Sequence, residues 1–215
     1  MEAEAPPFVA LIVLHPTHPE KRLVQRMVSG LREGLIYIVP TDTVYAFIAL
    51  IDQPRAINEI YRIKKMSDRQ PLSLLCRDVA MASVYARNIP NQVFRFMKAH
   101  TPGPFTFIFS ANRLVDRRST GARKTMGIRI VDHILHRILM EELELPLMST
   151  SITVSDEFHT DPLRLESLYG HHASMGGVVD GGIRSHEYST VIDCSEGDIR
   201  LVRQGRGDAS SIVES

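Results

Sequence analysis

The sequence predicts a mixed α/β domain, and three observations carry that prediction. Short runs rich in Val, Ile, Tyr and Phe alternate with longer stretches whose apolar residues recur at helical spacing. Pro, Gly and Asp punctuate the junctions between them. The chain has 215 residues, 44% of them hydrophobic, with no internal repeat and no low-complexity linker, so a sizeable core is within reach.

The elements follow in order. LIYIV (35–39) and VYAFIAL (44–50) are too short for helices and read as strands. QPRAINEIYRIKKM then starts a helix at Pro54 and puts Ile57, Ile60 and Tyr61 on one face. LSLLC (72–76) is a strand, and Asp78 caps the helix VAMASVYAR. A helix over 91–100 aligns Val93, Phe94 and Met97, and Thr101-Pro-Gly-Pro104 stops it. FTFIFSA (105–111) and TMGIRIV are strands. HILHRILMEEL is a helix with Ile134, Leu135, Ile138 and Leu139 inward, and LPLMSTS is a strand. Asp161 caps a helix whose first residue is Pro162. GGVVDGG, STVIDC and IRLVRQG close the chain as strands, and 206–215 reads as a loose C-terminal tail.

Charge excludes little. Twenty-five basic residues balance 25 acidic ones, but Arg113 to Arg129 holds six basic residues (Arg113, Arg117, Arg118, Arg123, Lys124, Arg129) against Asp116 alone. A second group is Arg62, Lys64, Lys65 and Arg69, opposed by Asp68. Each is a solvated face or a seat for an anion such as phosphate or RNA. Two cysteines, Cys76 and Cys194, make no disulfide framework and suit a reducing compartment. MEAEAPPF lacks the pattern of an export signal, and no apolar run approaches a membrane span. A cytoplasmic protein with no membrane partner is expected.

The familiar phosphate-loop, dinucleotide, zinc-protease and serine-hydrolase motifs are absent. His15 with His18, and His171 with His172, lack Cys or carboxylate companions at metal-binding spacing, so no metal site is assigned. Four polar stretches instead lie at the ends of predicted strands, where open α/β sheets bind ligands. They are Thr41-Asp42-Thr43, the KKMSDRQPL loop (64–72), STSITVSD (149–156) and Ser189-Thr190. Each reads either as an ordinary turn or loop start, or as a set of donors for phosphate or carboxylate oxygens.

In order along the chain stand P-T-D-T-V-Y at 40–45, K-x-M…P-L at 64–72, P-G-P-x-T at 102–106, G-I-R at 127–129, S-T-S at 149–151, S-T-V-I-D at 189–193 and R-x-G at 203–205. Together they resemble the YrdC domain family of threonylcarbamoyl-AMP synthases over about residues 9 to 205. The texture of LHPTHPEKRL, PLSLLCRD and RKTMGIR is most similar to the YciO branch. The resemblance implies one twisted mixed-sheet α/β domain around a deep, positively lined central cavity. It also implies a nucleotidyltransferase that converts L-threonine, bicarbonate and ATP to threonylcarbamoyl-AMP and pyrophosphate, toward the t6A modification of tRNA.

On the family pattern, Thr41, Thr43 and Ser189 would contact the threonine. Lys64 and Arg69 would hold the triphosphate with Mg²⁺. Thr106, Ser149 and Ser151 would bond phosphate or ribose oxygens, Arg129 would neutralise phosphate or support the wall, and Arg203 would close the nucleotide side. Positioning and charge stabilisation suffice for such a transfer, so no catalytic nucleophile is assigned. The chain departs from the family pattern at three ligand-contacting positions. Met66 stands where an Arg is usual, Thr153 where an Asn is usual, and Leu75 where some members carry a His. A non-synthase descendant binding nucleotide or RNA (tRNA or double-stranded RNA), through the cavity or the basic run, is the alternative.

Overall fold

The computed structural model describes residues 11–67, 70, 72–116, 125–152, 160–196 and 198–213. Its strands are β1 (Leu11–Val13), β2 (Ile36–Val39), β3 (Ala46–Leu50), β4 (Ser73–Leu75), β5 (Phe105–Ser110), β6 (Thr125–Arg129), β7 (Leu147–Ser151), β8 (Met175–Asp180), β9 (Thr190–Asp193) and β10 (Arg200–Arg203). The helices are α1 (Lys21–Arg32), α2 (Pro54–Ile63), α3 (Val79–Tyr85), α4 (Asn91–His100), α5 (Arg113–Asp116), α6 (Ile134–Leu143), α7 (Pro162–Tyr169) and α8 (Ser210–Val213). β1, α1 and the short helices α5 and α8 add to the elements read from sequence, although the stripe Val24, Met27, Val28 and Leu31 in α1 has helical spacing.

All the strands join one mixed sheet in the order β1-β8-β2-β3-β7-β4-β6-β5-β9-β10. β1, β8 and β2 run parallel, as do β4 with β6 and β5 with β9, and the remaining pairs are antiparallel. Predicted caps hold: Asp78 accepts from Met81 N at 2.7 Å and Asp161 from Leu163 N at 3.0 Å.

Strand side chains alternate between the faces, and this alternation creates two cores. Ile36, Ile38, Phe47, Met148 and Phe107 point to one face, where α2, α3, α4 and α7 cover them. Tyr37, Val39, Ile48, Leu147 and Val179 point to the other, beneath α1 and α6. On that second face, α1 and α6 cover the β1 side of the sheet. Over β6, β5 and β9, no helix among the described residues covers it. That half-covered face makes the cleft described below.

Two helix faces sit differently from expectation. In α4 the buried residues are Val93, Phe96 and Met97, while Phe94 points outward. In α6 they are Leu135, His136, Leu139, Met140 and Leu143, so the inner face is turned past Ile134 to take in a histidine. Apolar spacing alone could not select His136, because its burial depends on one carbonyl from another element. The expected tail also packs onto the domain. Ala209 and Ile212 are buried, and Thr190 Oγ1 donates to Gly207 O at 2.5 Å.

Candidate functional site

The uncovered sheet face forms an open cleft of about 430 Å³. Its floor is a row of small residues in register: Ser149 on β7 opposite Ser73 on β4, and Ser73 opposite Gly127 on β6. A Cβ at Gly127 would come within 2.9 Å of both Ser73 Oγ and Thr106 Cγ2, so glycine keeps the floor flat. The hydroxyls of Ser73, Ser149 and Ser151 make no hydrogen bond with another described residue, which leaves them available to a ligand.

Arg129 and Arg203 line the cleft, and Lys64 stands at its edge, bonded to two lining residues. Lys64, just past α2, donates to Thr150 Oγ1 at 2.9 Å and to Ser151 O at 2.6 Å. Burial lowers its pKa to about 8, because the charged ammonium loses hydration there. On the opposite wall Arg203 of β10 donates to Ser189 O at 2.9 Å and stacks over the Tyr188 ring at 5.1 Å. Burial lowers the Arg203 pKa too. The hydroxyls of Thr106 and Ser189 share a 2.8 Å hydrogen bond between these walls.

At the inner end, Arg129 donates to Asp42 Oδ1 at 2.7 Å and to Thr43 Oγ1 at 3.2 Å. Both members of the ion pair are almost fully buried, at 5% and 10% side-chain exposure. Burial pulls the Arg129 pKa down and the Asp42 carboxylate pushes it back up. Its Nε has no partner. Arg129 therefore has two functions, lining the cleft and anchoring the 40–43 loop. It cannot belong to an exposed basic face.

Several sequence expectations change here. Thr41 is spent on its own turn: its Oγ1 accepts from Thr43 N at 3.0 Å and donates to Val44 O at 2.6 Å. The turn reading therefore explains Thr41 without a ligand, and Thr41 and Thr43 do not line the cleft. Lys64, Thr106, Arg129, Ser149, Ser151, Ser189 and Arg203 are brought together around it. Arg69, Thr153, Arg117, Arg118, Arg123 and Lys124 lie outside the described residues. Leu75 is fully buried in the core under α1 and α6 and does not line the cleft. Ser73 and Tyr188 also line the cleft, and the sequence reading missed them; Thr150, read there only as one of three hydroxyls in a row, lines the cleft and holds its lysine. The signal for Ser73 is the alternation Leu72-Ser73-Leu74, which sets one polar side chain on the face opposite Leu74.

The family model Sua5/YciO/YrdC, described as telomere recombination, matches residues 29–205. The chain belongs to this family. YciO of Escherichia coli is 33% identical over 93% of this chain and 97% of its own length, and its crystal structure superposes with a TM-score of 0.83. The human threonylcarbamoyl-AMP synthase is 30% identical over 83% of this chain, which spans 65% of that protein. The crystal structure of Pyrococcus abyssi Sua5 complexed with L-threonine is 26% identical, with a TM-score of 0.81 over 91% of this chain and 57% of Sua5.

Met66 packs on the core, and Thr150 Oγ1 donates to its sulfur at 3.9 Å. It thus shares Thr150 with Lys64. Among the described residues no group of three His, Cys, Asp or Glu side chains is placed to hold a metal ion, and none of the helices is long and apolar enough to cross a membrane.

Proposed function

We propose that the cleft binds ATP and L-threonine and performs the threonylcarbamoyl-AMP synthase reaction. The observation supporting this reading most strongly is the cationic lining, Arg129 and Arg203, with Lys64 bonded to Thr150 and Ser151 at the cleft's edge, around a floor of free serine hydroxyls and Gly127. Hydroxyls and backbone bond the oxygens of a phosphate or carboxylate, and the cations offset its charge. The threonine amine attacks the bicarbonate carbon and water leaves, giving a carbamate whose oxygen attacks the α-phosphorus. The new P–O bond forms as the bond to pyrophosphate breaks, and the side chains need only hold the reactants in line.

The donor set suits phosphate oxygens rather than a resident metal. Asp42, the carboxylate at the cleft's inner end, is already committed to Arg129. Mg²⁺ is accordingly assigned to the nucleotide as part of the substrate. Met66 favours a second reading, a binding protein with little turnover. A thioether on Thr150 replaces the guanidinium of the family pattern, and a charge-assisted bond contributes roughly 1.5–3 kcal/mol.

Pyrophosphate release from ATP separates the readings. A synthase requires L-threonine and bicarbonate together, and Met66→Arg should raise its rate about tenfold or more. A raised melting temperature with ATP but no threonine- and bicarbonate-dependent pyrophosphate, in wild type and in a folded Met66→Arg variant, leaves the binding protein. Absence of both signals rejects the nucleotide site.

A further inference from the structure

A second cavity, of about 290 Å³, lies away from the cleft at the carboxyl ends of the parallel strands β1, β8 and β2. Open α/β sheets bind ligands at such strand ends, and the volume sits at the lower end of the range of about 300–1,000 Å³ for small-molecule sites. Val13, Leu14, Ile134, Leu135 and Val179 give it an apolar wall. Two opposite charges, Arg184 and Asp180, stand on the same lining. Arg184 is half-buried; its Nη2 donates to Gly181 O, and its Nε is a buried donor with no partner. Asp180 uses Oδ1 to accept from Gly182 N at 2.8 Å, which leaves Oδ2. Burial, reinforced by Arg184, lowers the His133 pKa to about 4, so His133 is neutral at pH 7 and Arg184 remains the cation beside it. Tyr45 accepts from Gly181 N at 2.9 Å and donates to Gly182 O at 2.8 Å, so the loop carrying these charges is already held in place.

A guanidinium with an idle donor, a carboxylate with an idle oxygen and an apolar wall match the three parts of one ligand class. We propose that this second cavity binds a free apolar α-amino acid: its carboxylate on Arg184, its ammonium on Asp180 and its side chain against Val13, Leu14 and Ile134. The site adjoins the cleft through one loop. Arg184 Nη1 donates to Thr41 O at 3.4 Å from this side, and Arg129 holds Asp42 and Thr43 from the other. A ligand carboxylate on Arg184 competes with the Thr41 carbonyl, so occupancy reaches the Thr43 amide. The proposal stands without any nucleotide in the cleft.

The test titrates L-leucine into the ¹⁵N-labelled full chain and follows backbone amides by NMR. Saturable shifts are expected at Gly181, Gly182, Ile134 and Thr43. 4-Methylpentanoate lacks the ammonium and isoamylamine lacks the carboxylate. Each should bind about tenfold or more weakly, the loss of one charge-assisted hydrogen bond. Arg184→Gln should weaken leucine similarly, and Ile134→Trp, which fills the cavity, should abolish binding. Equal binding of leucine and both analogues overturns the proposal, even where a variant fails to fold. So do the absence of a saturable shift, or shifts at Gly127 and Ser149, which would put leucine in the cleft.

Discussion

His136 shows how one side chain links burial to pH. It is fully buried under the 40–43 loop, its Nε2–H donates to Pro40 O at 2.8 Å, and Nδ1 has no partner. Burial, followed by the neighbouring His133, lowers its pKa to about 3. The folded state then binds fewer protons than the unfolded one between about pH 6.5 and pH 3, so stability falls as pH drops through that window. The slope from this residue approaches about 1.4 kcal/mol per pH unit within it. Urea denaturation at a series of pH values should reveal this acid loss, and His136→Gln should flatten it. A second test at this scale is Gly127→Ala. Its methyl would meet Ser73 and Thr106 on the cleft floor, and overpacking of this kind costs roughly 1–3 kcal/mol in urea denaturation.

Between elements, the Asp42–Arg129 pair fastens the β2–β3 loop to β6. Removing one partner of a buried pair leaves the other charge uncompensated, at a cost of about 3–5 kcal/mol, whereas removing both costs much less. Asp42→Asn should therefore destabilise strongly, and Asp42→Asn with Arg129→Met should recover part of the loss in a double-mutant cycle. Additive losses would mean that the two charges do not interact. The pair also explains why the loop's function was only half legible. Thr41, Asp42 and Thr43 have the composition of a turn, and the turn is there. What the sequence does not state is that Asp42 meets a guanidinium 87 positions later, because that distance is closed only by sheet pairing.

Across the whole molecule, the C-terminal segment completes the domain. Arg206 Nη1 donates to Asp42 O at 2.7 Å, and Ala209 and Ile212 enter the core beside α4. Burying an Ile side chain contributes about 1.5–3 kcal/mol, so truncation after Gly207 should lower stability by at least that amount in urea denaturation. An unchanged midpoint would return the segment to a loose tail.

The sequence by itself determined the alternation of strands and helices, the caps at Asp78 and Asp161, and the family likeness in its ordered short motifs. These are local properties, set by side-chain periodicity and by backbone groups within a few residues. Tertiary structure decided which polar residues share a cleft. Ser73, Ser149 and Gly127 come from three strands far apart in the chain, and register alone sets them in one row. It also decided that Thr41 serves its own turn, that Leu75 belongs to the core and that Ala209 and Ile212 are buried. Each outcome depends on which face of the sheet a helix covers, and that is fixed by packing between distant segments rather than by any local pattern.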